Sequence, residues 1–230
     1  MIITIDGPAG SGKSTVARKL AARLRIPYLD TGAMYRVITL AAINAGANFE
    51  DEAELLDVAQ KADYRLDLGP THIRVTLGDH DVTEALRSMR VNTHTRFIAG
   101  APKIRELLVK RQREIGRELG SMVTEGRDQG SVAFPDADAK FYIDADIRQR
   151  ARRRYHELVA DGEEVDEETV LQNVIERDRT DRERAVAPLR RPDDAVSIDT
   201  SHLGVTDVIA IMLWHLHSRG LIAQIPADDQ

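Results

Sequence analysis

Gly7-Pro8-Ala9-Gly10-Ser11-Gly12-Lys13-Ser14-Thr15 has the spacing G-x-x-x-x-G-K-[ST], the pattern of a loop that wraps the phosphates of a nucleoside triphosphate. Gly7, Gly10 and Gly12 let the backbone curl and approach oxygen atoms with no Cβ in the way. The N–H groups of the curl point inward, and a helix starting directly after it adds the positive end of its dipole. Lys13 is placed to bridge the β- and γ-phosphates of ATP, and the Ser14 hydroxyl to ligate Mg²⁺. A chance lysine in a glycine-rich turn has the same composition, so the flanks decide. Met1 to Ile5 is a short β-branched apolar run that reads as a buried strand. Val16 to Leu24 is amphipathic, with Val16, Ala17, Leu20, Ala21 and Leu24 on one face.

The second chemically capable set is arginine. After Lys140 every Lys or Arg side chain is an arginine, and a guanidinium fork binds phosphate oxygens bidentately and stays charged when desolvated. Residues 146–191 carry eleven Arg against twelve Asp and Glu, so this stretch is not a basic tail of the kind that coats nucleic acid. Most of these arginines read equally well as solvated helix faces with i, i+4 partners. Arg36, Arg127, Arg177 and Arg184 stand apart, because each falls where a strand or helix would reach the crevice beside the loop. A phosphate loop facing separated arginines suits phosphoryl transfer to a second substrate that itself carries a phosphate, and an anionic acceptor needs no dedicated base. The Arg-dense stretch Ile147 to Val159, with Gly162 nearby, suits a lid.

These residues need elements to hold them. Ile26 to Asp30 reads as a second strand that turns at Thr31-Gly32 into a helix through Met34, Tyr35, Val37, Ile38 and Leu40. Glu50 to Ala62 reads as a further helix. Tyr64 to Leu68 and His72 to Leu77 alternate apolar and polar residues around Gly69-Pro70, the pattern of an antiparallel hairpin. Gly78 to Asp81 reads as a turn into Val82, Thr83 to Ala99 as broken helix, and Pro102 to about Leu119 as a helix closed by Gly120. Ser121 to Glu125, Ala139 to Asp144 and Ala195 to Asp199 complete the apolar strands. Asp166 caps a helix that ends before Ala187-Pro188-Leu189, Val205 to His217 is the last helix, and 227–230 reads as a frayed tail. Apolar strands separated by helices predict an α/β fold with a five-stranded parallel sheet covered on both faces. Ligands of such sheets sit beyond the carboxyl ends of the strands. Asp6 and Asp30 flank that crevice, where each could cap local backbone or orient Mg²⁺-bound water.

Composition narrows the classes further. The chain has 230 residues, 42% of them hydrophobic, enough for one domain with a sizeable aliphatic core. With no cysteine there is no disulfide and no thiolate metal site, and the seven histidines form no ligand cluster. A net charge of −6 and sparse aromatic residues count against nucleic-acid binding. No apolar run is long enough to cross a membrane, and a strand beginning at Met1 gives the expectation of a cytoplasmic protein without a signal peptide. A GTPase switch would need an N-K-x-D segment, which this sequence lacks. A kinase for another small acceptor, such as shikimate or a different monophosphate, shares the loop and is the nearest rival.

Four motifs in order resemble those of the bacterial cytidylate kinases. They are the loop within Ile5 to Ser14; Leu29-Asp30-Thr31-Gly32-Ala33-Met34-Tyr35-Arg36; Glu125-Gly126-Arg127-Asp128 with Gly130, Val132 and Phe134-Pro135-Asp136-Ala137; and Arg177-Asp178 with Asp181, Arg184 and Ala187-Pro188-Leu189. The resemblance covers nearly the whole chain. It implies a P-loop nucleoside monophosphate kinase fold, with a core of 1–36, 120–145 and 185–230, an inserted monophosphate-binding lobe at about 37–119 holding a small antiparallel sheet, and a helical lid at about 146–165. It implies transfer from ATP to CMP or dCMP with Mg²⁺, in pyrimidine nucleotide metabolism, by a monomer. By motif position, Thr31, Arg36, Arg127 and Arg184 hold the acceptor phosphate, Arg177 and Asp181 the ribose, and Arg105 and Asp128 the cytosine. Arg150 and Arg154 are the expected lid arginines, and Lys13, Arg127 and Arg184 act with them on the transferred group. Two positions depart from the family pattern: Gln129 replaces an apolar residue, and Arg96, beside Thr95, stands where a base-binding serine is usual. Both are expected to bear on the choice between CMP and UMP.

Overall fold

A computed structural model of the chain describes residues 1–160 and 162–226. Along them run β1 (Ile2–Asp6), α1 (Lys13–Leu24), β2 (Tyr28–Asp30), α2 (Thr31–Ala45), α3 (Glu52–Lys61), β3 (Tyr64–Leu68), β4 (Ile73–Leu77) and β5 (His80–Asp81). A 3₁₀ turn (Ala85–Arg87), α4 (Met89–Gly100) and α5 (Pro102–Leu119) lead into β6 (Met122–Gly126) and a π-helical turn (Gln129–Ala133). Then come β7 (Ala139–Asp144), α6 (Ile147–Ala160), α7 (Glu167–Glu183), β8 (Val196–Asp199) and α8 (Val205–Ser218). Among the described residues, five strands form one parallel sheet in the order β2-β6-β1-β7-β8, and β3-β4-β5 form a separate antiparallel sheet.

The central strands are apolar on both faces because both faces are covered. Ile3 and Ile5 of β1, Val123 of β6 and Phe141 of β7 pack with α1 and α8 through Val16, Leu20, Ile209, Met212 and Leu213. Leu29 and Met122 face the other way, into a second core shared by α2, α4 and α5 through Met34, Ile38, Ile98, Ile104 and Leu108. Each such fully buried side chain contributes about 1.5–3 kcal/mol. A third, smaller cluster joins α6 to α7 through Ala151, Val170 and Val174.

Most boundaries fall where periodicity and caps place them. Asp166 accepts a hydrogen bond from the Thr169 amide and starts α7, while Pro102 opens α5 and Gly120, at φ 67°, closes it. Three features differ from the sequence-based reading. The turn at Gly78 to Asp81 contains a third strand, β5, which pairs with β4 through Thr76 and Leu77. The broken helix at Thr83 to Ala99 resolves into the 3₁₀ turn and α4, separated at Ser88, whose side chain caps α4 through the Val91 amide. The π-helical turn at Gln129–Ala133 has no counterpart in the sequence-based reading, because the stretch carries no apolar periodicity. The segment 227–230 lies outside the described residues.

Candidate active site

The phosphate loop leaves β1 and must pass close to two neighbours. A Cβ on Gly7 would stand 2.1 Å from the Ile143 carbonyl oxygen of β7. A Cβ on Gly10, which sits at φ 70°, would stand 2.7 Å from the Arg150 carbonyl oxygen. Gly12, at φ 86°, turns the chain into α1. The Lys13 ammonium curls back and donates to the Pro8 carbonyl at 3.0 Å. Burial first, and then the charge of Arg127, pull its pKa down from 10.5 to about 7. The Ser14 hydroxyl donates to Glu125 Oε1 at 2.6 Å, and the Tyr28 hydroxyl reaches the same oxygen at 3.4 Å. Burial, then the nearby Asp30 charge, push the Glu125 carboxyl up.

Across the cleft stands a wall of arginines, most already paired with a carboxylate. Asp30 caps α2 by accepting from the Ala33 amide at 3.2 Å and pairs with Arg36 at 2.6 Å. The Thr31 hydroxyl donates to the Glu125 carbonyl at 2.8 Å, tying this turn to β6. Arg127 Nε donates to Asp181 at 2.8 Å, and Arg184 lies 3.6 Å from the same carboxylate while its Nε donates to the Ala187 carbonyl at 2.6 Å. Arg105 is ion-paired with Asp128, both buried, and its guanidinium lies 5.4 Å from the Tyr35 ring centroid. Arg177, exposed on α7, lies within electrostatic reach of Arg127, Asp181 and Arg36.

Arg36 Nε, Arg105 Nε, Arg184 Nη2 and the Tyr35 hydroxyl are buried with no hydrogen-bond partner among the described residues. Leaving such a group unpaired costs about 1–3 kcal/mol, so a wall that gathers four of them is built for a ligand rich in acceptors. The Arg184 pKa is lowered by burial and then by the Arg105 charge, a cationic crowding that an anion would relieve.

Other expectations land elsewhere. Arg150 is buried and fully engaged: Nε donates to the Ala145 carbonyl at 3.0 Å, Nη1 to the Ala9 carbonyl at 3.0 Å, and Nη2 pairs with Asp178 at 2.7 Å. Arg154, half-buried on α6, pairs with Glu157 at 3.0 Å and lies close enough to Arg177 for the two charges to repel. Asp6 is buried between the two: its carboxylate accepts from the Gln129 and Gly130 amides at 2.8 and 2.7 Å, burial raises its pKa to about 7, and the charges of Asp128 and Lys13 act on it in opposite senses. Gln129 also turns inward. It accepts from the Thr124 hydroxyl at 3.0 Å and donates to Gln112 at 3.2 Å, so the expected influence on base choice has no direct contact behind it. Arg96 lies at the surface over the Phe97 ring, while Thr95 faces α2 and meets the Thr39 hydroxyl at 3.3 Å.

Glu125 was quoted in a motif but given no role. Its signal was available: it lies in the last two residues of β6, directly opposite Ile5 of the strand that feeds the loop. Tyr35 was read as part of a helical stripe and quoted in a motif, with no role of its own.

A backbone loop for one phosphate chain and an arginine wall for another, both beyond the carboxyl ends of a parallel sheet, define a P-loop phosphotransferase with two anionic substrates. The family model described as "Cytidylate kinase" matches residues 3–218. A cytidylate kinase of Rhodococcus opacus is 42% identical, over 97% of this chain and 98% of its own. A bifunctional pantoate ligase/cytidylate kinase of Synechococcus is 44% identical over 90% of this chain, which spans only 39% of that protein's length. The solved structure of an uncharacterized protein from Eubacterium ventriosum superimposes with a TM-score of 0.51 at 17% identity, covering 95% of this chain and 99% of its own, and shows the fold alone. The chain belongs to the cytidylate kinase family, nucleoside monophosphate kinases that phosphorylate CMP.

Proposed function

We propose that the protein converts ATP and CMP to ADP and CDP, with dCMP as a second acceptor and Mg²⁺ as cofactor. The observation that carries this reading is the set of buried, unpartnered donors on Arg36, Arg105 and Arg184 facing a glycine-built phosphate loop across one cleft. In it, the amides of Gly7 to Thr15 and the Lys13 ammonium hold the ATP phosphates. Thr31, Arg36, Arg127 and Arg184 hold the acceptor phosphate, and Arg177 with Asp181 the ribose. The already anionic acceptor attacks in line, so the residues supply position and positive charge.

Base recognition follows from the Arg105–Asp128 pair. The Asp128 carboxylate accepts from the exocyclic amine of cytosine, and Arg105 donates to its ring acceptors. UMP presents a carbonyl oxygen where CMP has the amine, and two acceptors facing one another repel.

Among the described residues, no group of three His, Cys, Asp or Glu could hold a metal ion. The Ser14 hydroxyl beside the Glu125 carboxylate fits Mg²⁺, which takes one or two protein oxygens and completes its shell with water and substrate phosphates. The ion supplies charge neutralisation to the phosphates when bound. The inserted lobe at 37–119 closes the acceptor site, and the region about 146–165, which carries Arg154 near Arg177, closes over the donor. In this reading the protein works as a monomer in the cytoplasm, within pyrimidine nucleotide metabolism.

A coupled assay across acceptors tests the reading. Strong turnover is expected with CMP and dCMP, slower turnover with UMP, and little with AMP, GMP or shikimate. CMP left unchanged in the presence of ATP and Mg²⁺ would overturn it.

A further inference from the structure

The buried pair Arg150–Asp178 has no place in substrate binding as described so far. Asp178 lies on α7, one residue after Arg177, three before Asp181 and six before Arg184, and only 3% of it is exposed. Arg150 lies on α6, equally buried: Nε and Nη1 donate to the Ala145 carbonyl and to the Ala9 carbonyl inside the phosphate loop, and Nη2 forms an ion pair at 2.7 Å with the Asp178 carboxylate, whose oxygens have no hydrogen-bond partner among the described residues and which Arg182 approaches only to 4.0 Å. Its backbone also presses on the loop, since only the missing side chain of Gly10 leaves room for the Arg150 carbonyl. The path is therefore short and continuous. The donor loop contacts Arg150, Arg150 contacts Asp178, and one turn further along α7 Asp181 contacts Arg127 and Arg184 of the acceptor wall.

A buried ion pair is a poor source of net stability, because desolvating two charges offsets their attraction, and its best-attested use is to fix one arrangement over its alternatives. Here the arrangement fixed is the register of α7 against the phosphate loop. The planar fork of arginine meets Ala9 and Asp178 at once, which a lysine cannot do.

We propose that Asp178 is a positioning residue which, through Arg150, locks the acceptor-binding helix α7 to the phosphate loop and so couples the two nucleotide sites. ATP seated in the loop holds Arg150 in place and tightens the site for CMP. By linkage, CMP tightens the site for ATP by the same factor. The inference rests on the ATP and CMP assignment above.

The test is calorimetric titration of CMP into the full-length protein, alone and with saturating non-hydrolysable ATP analogue and Mg²⁺. In the unaltered protein the analogue should tighten CMP binding by about fivefold or more. Asp178→Asn keeps the shape of the side chain and removes its charge; the ratio should collapse toward one while CMP affinity in the absence of analogue stays within about threefold, well below the factor of the coupling itself. Arg150→Lys keeps the charge and loses the fork, so it should give the same collapse in a protein that still folds, even if Asp178→Asn does not. A ratio preserved in both variants overturns the proposal. So does an equal loss of affinity at both sites with a lowered melting temperature, which marks a purely structural pair. An unaltered protein that binds both nucleotides without coupling also overturns it and leaves the functional reading standing, whereas one that binds no CMP overturns the functional reading itself.

Discussion

On the proposed assignment, the donor loop and the acceptor wall handle the same kind of ligand by opposite means. The loop is one contiguous stretch, Gly7 to Thr15, that works with backbone amides, a helix end and one ammonium. The wall is assembled from the β2–α2 turn, the face of α5, the end of β6 and the end of α7, and it works with guanidinium groups. Gly10 and Gly12 hold the loop's shape through positive φ values. On the wall, Arg36 is held by Asp30, Arg105 by Asp128 and Arg127 by Asp181. Those carboxylates orient the forks before substrate arrives, and they leave buried nitrogens of Arg36, Arg105 and Arg184 for it. A covalently local site is cheap to specify and tolerates little change in backbone; a dispersed site depends on the packing of every element that contributes to it.

The sharpest way to break this contrast is at Lys13. Lys13→Ala should lower kcat by about 100- to 1000-fold, the range for losing one donor aimed at developing charge, with the fold retained by circular dichroism. Retained turnover would show that backbone amides suffice in the loop. On the wall, Arg184→Ala should cost about 2–5 kcal/mol in kcat/KM for CMP, the range for truncating one member of a buried charged set. The KM for ATP should barely move. Steady-state kinetics with each substrate varied separately checks this, and equal losses on both substrates would erase the distinction between the two regions.

A last prediction concerns stability and pH, with no bearing on turnover. Lys13 has a pKa of about 7 in the folded protein against 10.5 in the reference state, with burial as the leading cause. Between these values the unfolded chain holds a proton that the folded chain has released, so stability should rise with pH from about 7 to 10.5. Thermal melts across that range should show the rise, Lys13→Met should flatten it, and bound ATP should remove it by restoring the lysine's charge. A flat profile in the unaltered protein would mean that the ammonium is better solvated than its burial implies.

The donor region was legible in the sequence almost residue by residue, because its determinants are neighbours: strand, glycine spacing, lysine, amphipathic helix. The wall was legible as residue types. Arg36, Arg105, Arg127, Asp128, Asp181 and Arg184 do converge on one cleft, but nothing in their spacing showed which carboxylate holds which guanidinium. Arg150 shows the limit most clearly. Its place in an Arg-dense helix marked it as a lid residue, and helical periodicity could not reveal that this turn of α6 lies against Ala9, 141 positions away.

The alternation of apolar strands and amphipathic helices, the glycine-shaped loop and the polar–apolar hairpin determined the parallel sheet, the place of the glycine loop at its carboxyl edge and most of the small antiparallel sheet, because short-range sterics and periodicity dictate them. Packing alone decided that Glu125 meets Ser14 across 111 residues, that Gln129 turns to Gln112 rather than to the base, and that Asp6 anchors the loop at Gln129 and Gly130. The direction of a buried polar side chain is set by which partners the completed core brings within hydrogen-bond reach, and those partners come from distant parts of the chain.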